Sequence, residues 1–214
     1  MPSPHIRGLI PVRHLHGKTD FQKTLRPTGN GAKGKNDATI FIGDVVFLDA
    51  SGAVQRYCDA ASGGDTVLPL GVVGDVYNSN RRPFTFNQPG AGPAIPASTM
   101  GYVGVYEDPH IVYVANTSAT ATYLNVGHFA QIRVCAANTA AGRSGMSVDI
   151  TTTPTAAGHA FKMVGISPLD GSLEESRLSG AANNDVEVIM VNSQWSNSWM
   201  RNVVAAIDVS GVTT

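Results

Sequence analysis

Charge is scarce in this chain: Asp, Glu, Lys and Arg make up 14% of its 214 residues, against about 25% in an ordinary globular domain. Gly, Ala, Ser, Thr and Asn take the place of surface charge. That suits short strands and many turns, and it suits a helical bundle badly. Only two cysteines occur, Cys58 and Cys135, far apart and outside any C-x-x-C pair. They read as two reduced, half-buried thiols. No apolar run reaches the roughly 20 residues that a bilayer span needs, so no membrane partner is expected. Pro and basic residues interrupt the N-terminus, so no signal peptide is expected. Without secretion, the sequon Asn116-Thr117-Ser118 is expected to carry no glycan. Helical periodicity is weak throughout.

What charge there is divides unevenly. Residues 1–37 hold seven Lys/Arg (Arg7, Arg13, Lys18, Lys23, Arg26, Lys33, Lys35) against two acids, a formal +5. Residues 38–214 hold eight Lys/Arg against fourteen acids, a formal −6. A basic segment on an acidic body seeks an acidic surface: nucleic acid, an anionic partner, or the body of a neighbouring copy. Nucleic acid is the least suited of these. The basic residues are spread among Pro, Gly and apolar residues, and Phe21 is the only aromatic among them, so no stacking platform accompanies the charge. Apolar Leu9, Ile10, Val12 and Leu15 are expected to anchor the segment on a protein surface, with Arg7, Arg13 and Lys18 orienting it.

The pattern along the chain predicts an all-β fold, a β-sandwich or small β-barrel with an extended irregular N-terminal arm. Pro2, Pro4, Pro11 and Pro27 argue against helix in residues 1–38. From Thr39 the texture becomes β. Ile40–Asp49 is apolar on both alternating faces and predicts a strand covered on both sides, by a sandwich partner and by a subunit or loop. Further strands are expected near Val54–Tyr57, Leu68–Tyr77, Gly101–Tyr106, Ile111–Ala115, Thr122–Asn125, Phe129–Ala136, Ser147–Ile150, Phe161–Ile166 and Val186–Asn192. Gly71 and Gly74 predict a bulge or a barrel corner. Asn78–Ser98, with four prolines, reads as a long and functional loop. Ser172–Leu178 is a candidate helical turn, and Trp199–Ile207 a short helix or strand. The chain thus divides into a basic arm (1–38), a β-domain (39–192) and a C-terminal segment (193–214), where Trp195 and Trp199 either anchor an interface or close the core.

Chemical motifs are few. Gly29–Asn36 satisfies G-x-x-x-x-G-K but ends in Asn36 where Ser or Thr must hold magnesium, and no strand-to-helix context surrounds it. His14-x-His16 puts two imidazoles on one side of an extended strand, half of a zinc site, with His5 nearby. No Cys or carboxylate cluster completes the set in sequence, so no metal or other cofactor is expected. His110, His128 and His159 sit singly beside Pro or Gly. Gly142-Arg143-Ser144-Gly145 reads as a turn, since it lacks the spacing of a nucleophile elbow. Glu107-Asp108 and Glu174-Glu175 are adjacent acids that diverge on a strand and form no acid/base pair. The chain is expected not to be an enzyme.

Gly43-Asp44-Val45-Val46-Phe47-Leu48-Asp49-Ala50-Ser51-Gly52, followed by Leu70-Gly71-Val72-Val73-Gly74-Asp75-Val76-Tyr77, resembles small structural proteins of tailed-bacteriophage virions. In that group a GD-headed hairpin precedes an LGV strand. Gly104–Tyr113, with Glu107-Asp108-Pro109, is similar to the group's turn and following strand. The resemblance covers roughly residues 40–136. It implies a capsid decoration, or cement, protein: β-rich, a dimer or trimer with the trimer favoured, assembled in the bacterial cytoplasm. It would be carried on the virion surface over junctions between major capsid proteins. The alternative is a carbohydrate- or host-surface-binding β-sandwich that uses the Asn78–Ser98 loop.

Overall fold

The computed structural model describes residues 8–17, 20–29, 38–49, 51–57, 68–84, 93–117, 121–134, 137, 139, 141–150, 160–166 and 185–194. Thirteen strands run through them: β1 (Ile10–His14), β2 (Thr24–Thr28), β3 (Ile40–Phe41), β4 (Val45–Leu48), β5 (Val54–Arg56), β6 (Gly71–Tyr77), β7 (Ala94–Ile95), β8 (Gly101–Tyr106), β9 (Ile111–Asn116), β10 (Phe129–Val134), β11 (Met146–Asp149), β12 (Phe161–Ile166) and β13 (Asp185–Met190). The protein is all-β. Among the described residues no helix is long and apolar enough to cross a membrane.

The strands make two main bodies. One is a six-stranded sheet in the order β1-β9-β13-β12-β10-β11, antiparallel throughout. The other is a closed five-stranded barrel, β2-β5-β4-β6-β8, in which only β2 and β5 run parallel. β3 and β7 pair separately. Each body has its own core. Ile111, Tyr113, Phe161, Met163, Val186 and Val188 fill the sheet's core. Val46, Val54, Val73, Val76, Val103 and Val105 fill the barrel.

The apolar stretch from Ile40 lies between these cores. Ile40 and Val46 belong to the barrel core, whereas Val45, with its cross-strand partner Val72, belongs to the sheet core. The expected single strand breaks into β3 and β4 at a turn, because Gly43 adopts φ +88°, a conformation glycine reaches without strain. Both apolar faces are covered within one chain. Their two-sided character therefore does not require a second subunit.

Within the extended irregular arm expected over residues 1–38, the described stretches 10–14 and 24–28 are strands, which corrects the irregular reading at those residues. β1 is the edge strand of the sheet, pairing Ile10 with Val114 and His14 with Ile111. β2 closes the barrel against β8. Leu9, expected to dock on a partner, is 1% exposed in the sheet's own core. Pro11 is tolerated because β1 is an edge strand whose register shifts between Pro11 and Arg13, where a missing N–H breaks no ladder. The Gln194 side chain donates to the Leu48 carbonyl at 3.0 Å and accepts from the Leu48 amide at 2.8 Å, so residues 193 and 194 belong to the body.

Two further expectations resolve locally. Thr122–Asn125 is not a strand but a 3₁₀ turn over Tyr123–Asn125. The Asn125 carboxamide oxygen accepts from the Thr122 amide at 2.9 Å and its hydroxyl at 3.0 Å, a local bond that competes with strand pairing. Gly74 does mark a bulge: β6 shifts register between Val73 and Asp75. A methyl at Gly71 would overlap the Tyr106 carbonyl oxygen.

A buried carboxylate fastens the two bodies. Asp44 is fully buried. It accepts from the Ser144 hydroxyl at 2.5 Å and the Phe41 amide at 2.8 Å, and it faces Arg56 Nε at 3.0 Å. Burial raises its pKa, and Arg56 and the hydrogen bonds offset part of that rise. Arg56 is itself only 13% exposed at its side chain. Removing one member of such a pair strands the other charge, so Asp44→Ala is expected to lower the unfolding free energy by about 3–5 kcal/mol, read from the urea midpoint. An unchanged midpoint would contradict the assignment.

Candidate functional site

Chemistry-bearing side chains converge where the chain crosses between sheet and barrel. It leaves β1 for β2 through residues 15–23, and it leaves β8 for β9 through Glu107–His110. The register of β1 on β9 sets His14 opposite Ile111, which brings the two crossings together. The Leu15 amide donates to the His110 carbonyl at 3.0 Å and ties them. Asp108 opens an Asx turn: its Oδ1 accepts from the His110 amide at 2.9 Å, the arrangement that Asp favours ahead of a tight turn.

Asp108 is the hub. His14 Nε2 lies 2.9 Å from its Oδ2, and His110 Nδ1 lies 3.0 Å from its Oδ1. The His16 amide donates to His14 Nδ1 at 3.1 Å. His14 is 6% exposed, while His16 and His110 are open to solvent. The three imidazoles stack loosely, with centroids 5.4 Å apart for His14–His16, 5.9 Å for His14–His110 and 4.6 Å for His16–His110. Burial by itself would raise the Asp108 pKa. The His110 amide and the His14 and His110 rings outweigh it and hold the carboxyl at about 2. His14, Asp108 and His110 each offer a ligand atom within 4.8 Å of the others, so these residues could hold a cation.

Beside the cluster lies a cleft of about 580 Å³, lined by His14, Gly17, Asp20, Phe21, Gln22, Thr24, Glu107, Asp108 and Ile111. Its walls are braced by the basic segment. Arg26 Nε and Nη2 donate to the two Glu107 oxygens at 2.6 and 2.8 Å, a bidentate pair. Lys23 pairs with Asp75 and lies 5.6 Å from the centre of the Tyr106 ring. Phe21 meets the same ring edge-on at 6.3 Å.

The sequence candidates scatter. Leu9 is core; Ile10 and Val12 are half-buried on β1; Leu15 is exposed. Arg13 pairs with Glu187 of β13 at 2.6 Å. Arg7, Lys18, Trp195 and Trp199 lie outside the described residues, as do His5, His159, Glu174, Glu175, the stretches Ser172–Leu178 and Trp199–Ile207, and most of the Gly29–Asn36 loop. Ser144 sits in the expected turn with its hydroxyl on Asp44. Within Asn78–Ser98, the described part contains β7. Glu107 and Asp108 diverge as expected, one to Arg26 and the other to the histidines. What sequence reasoning missed is the union of His14-x-His16 with Asp108-Pro109-His110. Each half was visible, but 94 residues separate His14 from Asp108.

The acidic surface that the basic segment meets is thus, at three positions, the body of its own chain. The pairs differ in burial, and so in worth. Arg13 is 51% exposed at its side chain, and Arg13→Ala is expected to cost no more than about 1 kcal/mol. Arg26→Ala, which removes two charged hydrogen bonds in a partly buried setting, is expected to cost about 1.5–3 kcal/mol. Chemical denaturation of the two variants checks this order; a larger loss for Arg13→Ala would reverse it. No family model, no curated protein and no solved structure matches this chain.

Proposed function

We propose that this protein is a capsid decoration protein of a tailed bacteriophage, which binds the outer surface of the assembled head and stabilises contacts between major capsid proteins. The observation that carries this is an apolar knuckle on the surface of the β body. In the 3₁₀ turn after β9, Tyr123, Leu124 and Val126 stand on the surface, Leu124 being 86% exposed. Asn125 and Thr122 fix the turn, so the side chains are presented by a formed element. Rigid exposed apolar groups of this kind mark protein-binding surfaces.

The resemblance supplies the partner. The stretches that carry it, Gly43–Gly52 and Leu70–Tyr77, contribute β4 and β6, hydrogen-bonded neighbours in the barrel, and Gly104–Tyr113 leads from the barrel to the sheet. Scarce surface charge suits a protein buried among neighbours. Arg13, Lys23 and Arg26 are paired with acids of the same chain, which leaves less of the basic segment for nucleic acid. Binding only the assembled lattice stabilises it by mass action, about 2.7 kcal/mol per site at one hundred times Kd. The proposal includes self-association, a trimer before a dimer, and no catalytic step.

Cosedimentation with expanded heads, with light scattering of the free protein, tests the role. Leu124→Asp is expected to keep the β circular-dichroism spectrum and to weaken head binding at least tenfold, about 1.4 kcal/mol or more. Wild-type protein that stays in the supernatant would contradict the proposal, and a monomer that binds glycans would favour the carbohydrate-binding reading.

A further inference from the structure

We propose that His16, Asp108 and His110 form a binding site for a divalent transition-metal ion, zinc foremost, with His14 as the residue that positions the carboxylate. Imidazole nitrogen and carboxylate oxygen are the donors that zinc takes, at about 2.0–2.2 Å. Two ligands on one tetrahedral ion with such bonds lie about 3.3 Å apart. His110 Nδ1 and Asp108 Oδ1 are already 3.0 Å apart. An ion taking the place of the proton between them needs only a small displacement.

The hydrogen bonds divide the histidines into two roles. His14 Nδ1 accepts from the His16 amide, so the neutral ring carries its proton on Nε2 and donates it to Asp108 Oδ2. Metal on Nε2 would move that proton to Nδ1 and break the hydrogen bond from the His16 amide at a buried ring. His14 is therefore placed to orient the carboxylate, as outer partners of metal ligands do. His110 is solvent-exposed, so shifting its proton to Nε2 disturbs no described protein contact. His16, also exposed, has its ring centroid 4.6 Å from that of His110 and would reach the same ion by rotation of its side chain. Three protein ligands leave a fourth position for water or for a ligand atom from another molecule. The bound ion would clasp the end of β1 to the β8–β9 turn, and so the sheet to the barrel. It does not depend on the capsid role.

The test uses the full-length protein, stripped with a chelator and titrated with Zn²⁺ against a chromophoric competitor, and with Co²⁺ for its visible absorption. One ion per chain is expected, with a thermal midpoint that rises in zinc. His16→Ala, His110→Ala and Asp108→Asn should each weaken binding at least tenfold. The two histidines are exposed, so their variants should fold, while His128→Ala should bind as the wild type does. His14→Ala should lose about 10–100-fold, and His14→Gln, which restores an N–H toward Asp108, should recover most of it with the Co²⁺ spectrum unchanged. The absence of saturable binding, or wild-type affinity in His16→Ala and His110→Ala, would overturn the site. A changed Co²⁺ spectrum in His14→Gln would overturn the ligand set by making His14 a ligand.

Discussion

The architecture depends on one turn. Gly43 and Asp44 sit where the sheet meets the barrel, and they hold four parts of the chain at once. The Gly43 carbonyl accepts from the Leu9 amide at 3.0 Å, and its amide donates to the Val73 carbonyl at 2.8 Å. The Asp44 carboxylate takes Ser144, which in turn accepts from the Met146 amide at 2.9 Å. Arg56 of β5 completes the set. A buried charge is expensive unless it is paired and hydrogen-bonded, and here the partners come from separate segments. The turn thus joins β5, β6, the residue before β1 and the approach to β11.

From that turn follows the sharing of strands between two cores. A chain of this length could have made one sandwich with an appended arm. Instead β1 goes to the sheet and β2 to the barrel, and the same alternation recurs from β8 to β9. These crossings bring His14, His16, Asp108 and His110 together and flank the cleft beside them. They also place Arg13, Lys23 and Arg26 against acids of the body. At these three described residues the charge asymmetry along the sequence becomes local neutralisation in the fold.

Strands whose residues carry their own pattern were legible in the sequence: β8 and β12 fall on the predicted residues, and β6 ends where predicted with its bulge at Gly74. β1 and β2 were hidden because Pro11 and Pro27 read as interruptions. Each occupies a place where a ladder tolerates proline: an edge strand with a bulge for Pro11, and for Pro27 a strand that meets β5 only at Thr28 and Val54. The double apolar face of Ile40–Leu48 was legible, but its cause was not, since a second core in the same chain and a second subunit leave the same pattern. Half of the histidine cluster was visible as His14-x-His16. Asp108 and His110 looked like an ordinary turn because their partner is set by strand register, which no local spacing encodes.

The proposed capsid role rests on the knuckle at Tyr123–Val126, which the described β body presents outward. Its most exposed structural claim is that the basic N-terminal segment belongs to that body. Native-state hydrogen exchange on the isolated protein measures this directly. Amides within residues 10–14 and 24–28 that donate into the ladders are expected to be protected to the same degree as those of their partners in β9 and β8, since strands of one cooperative unit open together. Free exchange in both segments, with β8 and β9 still protected, would contradict it and return residues 8–28 to a mobile arm.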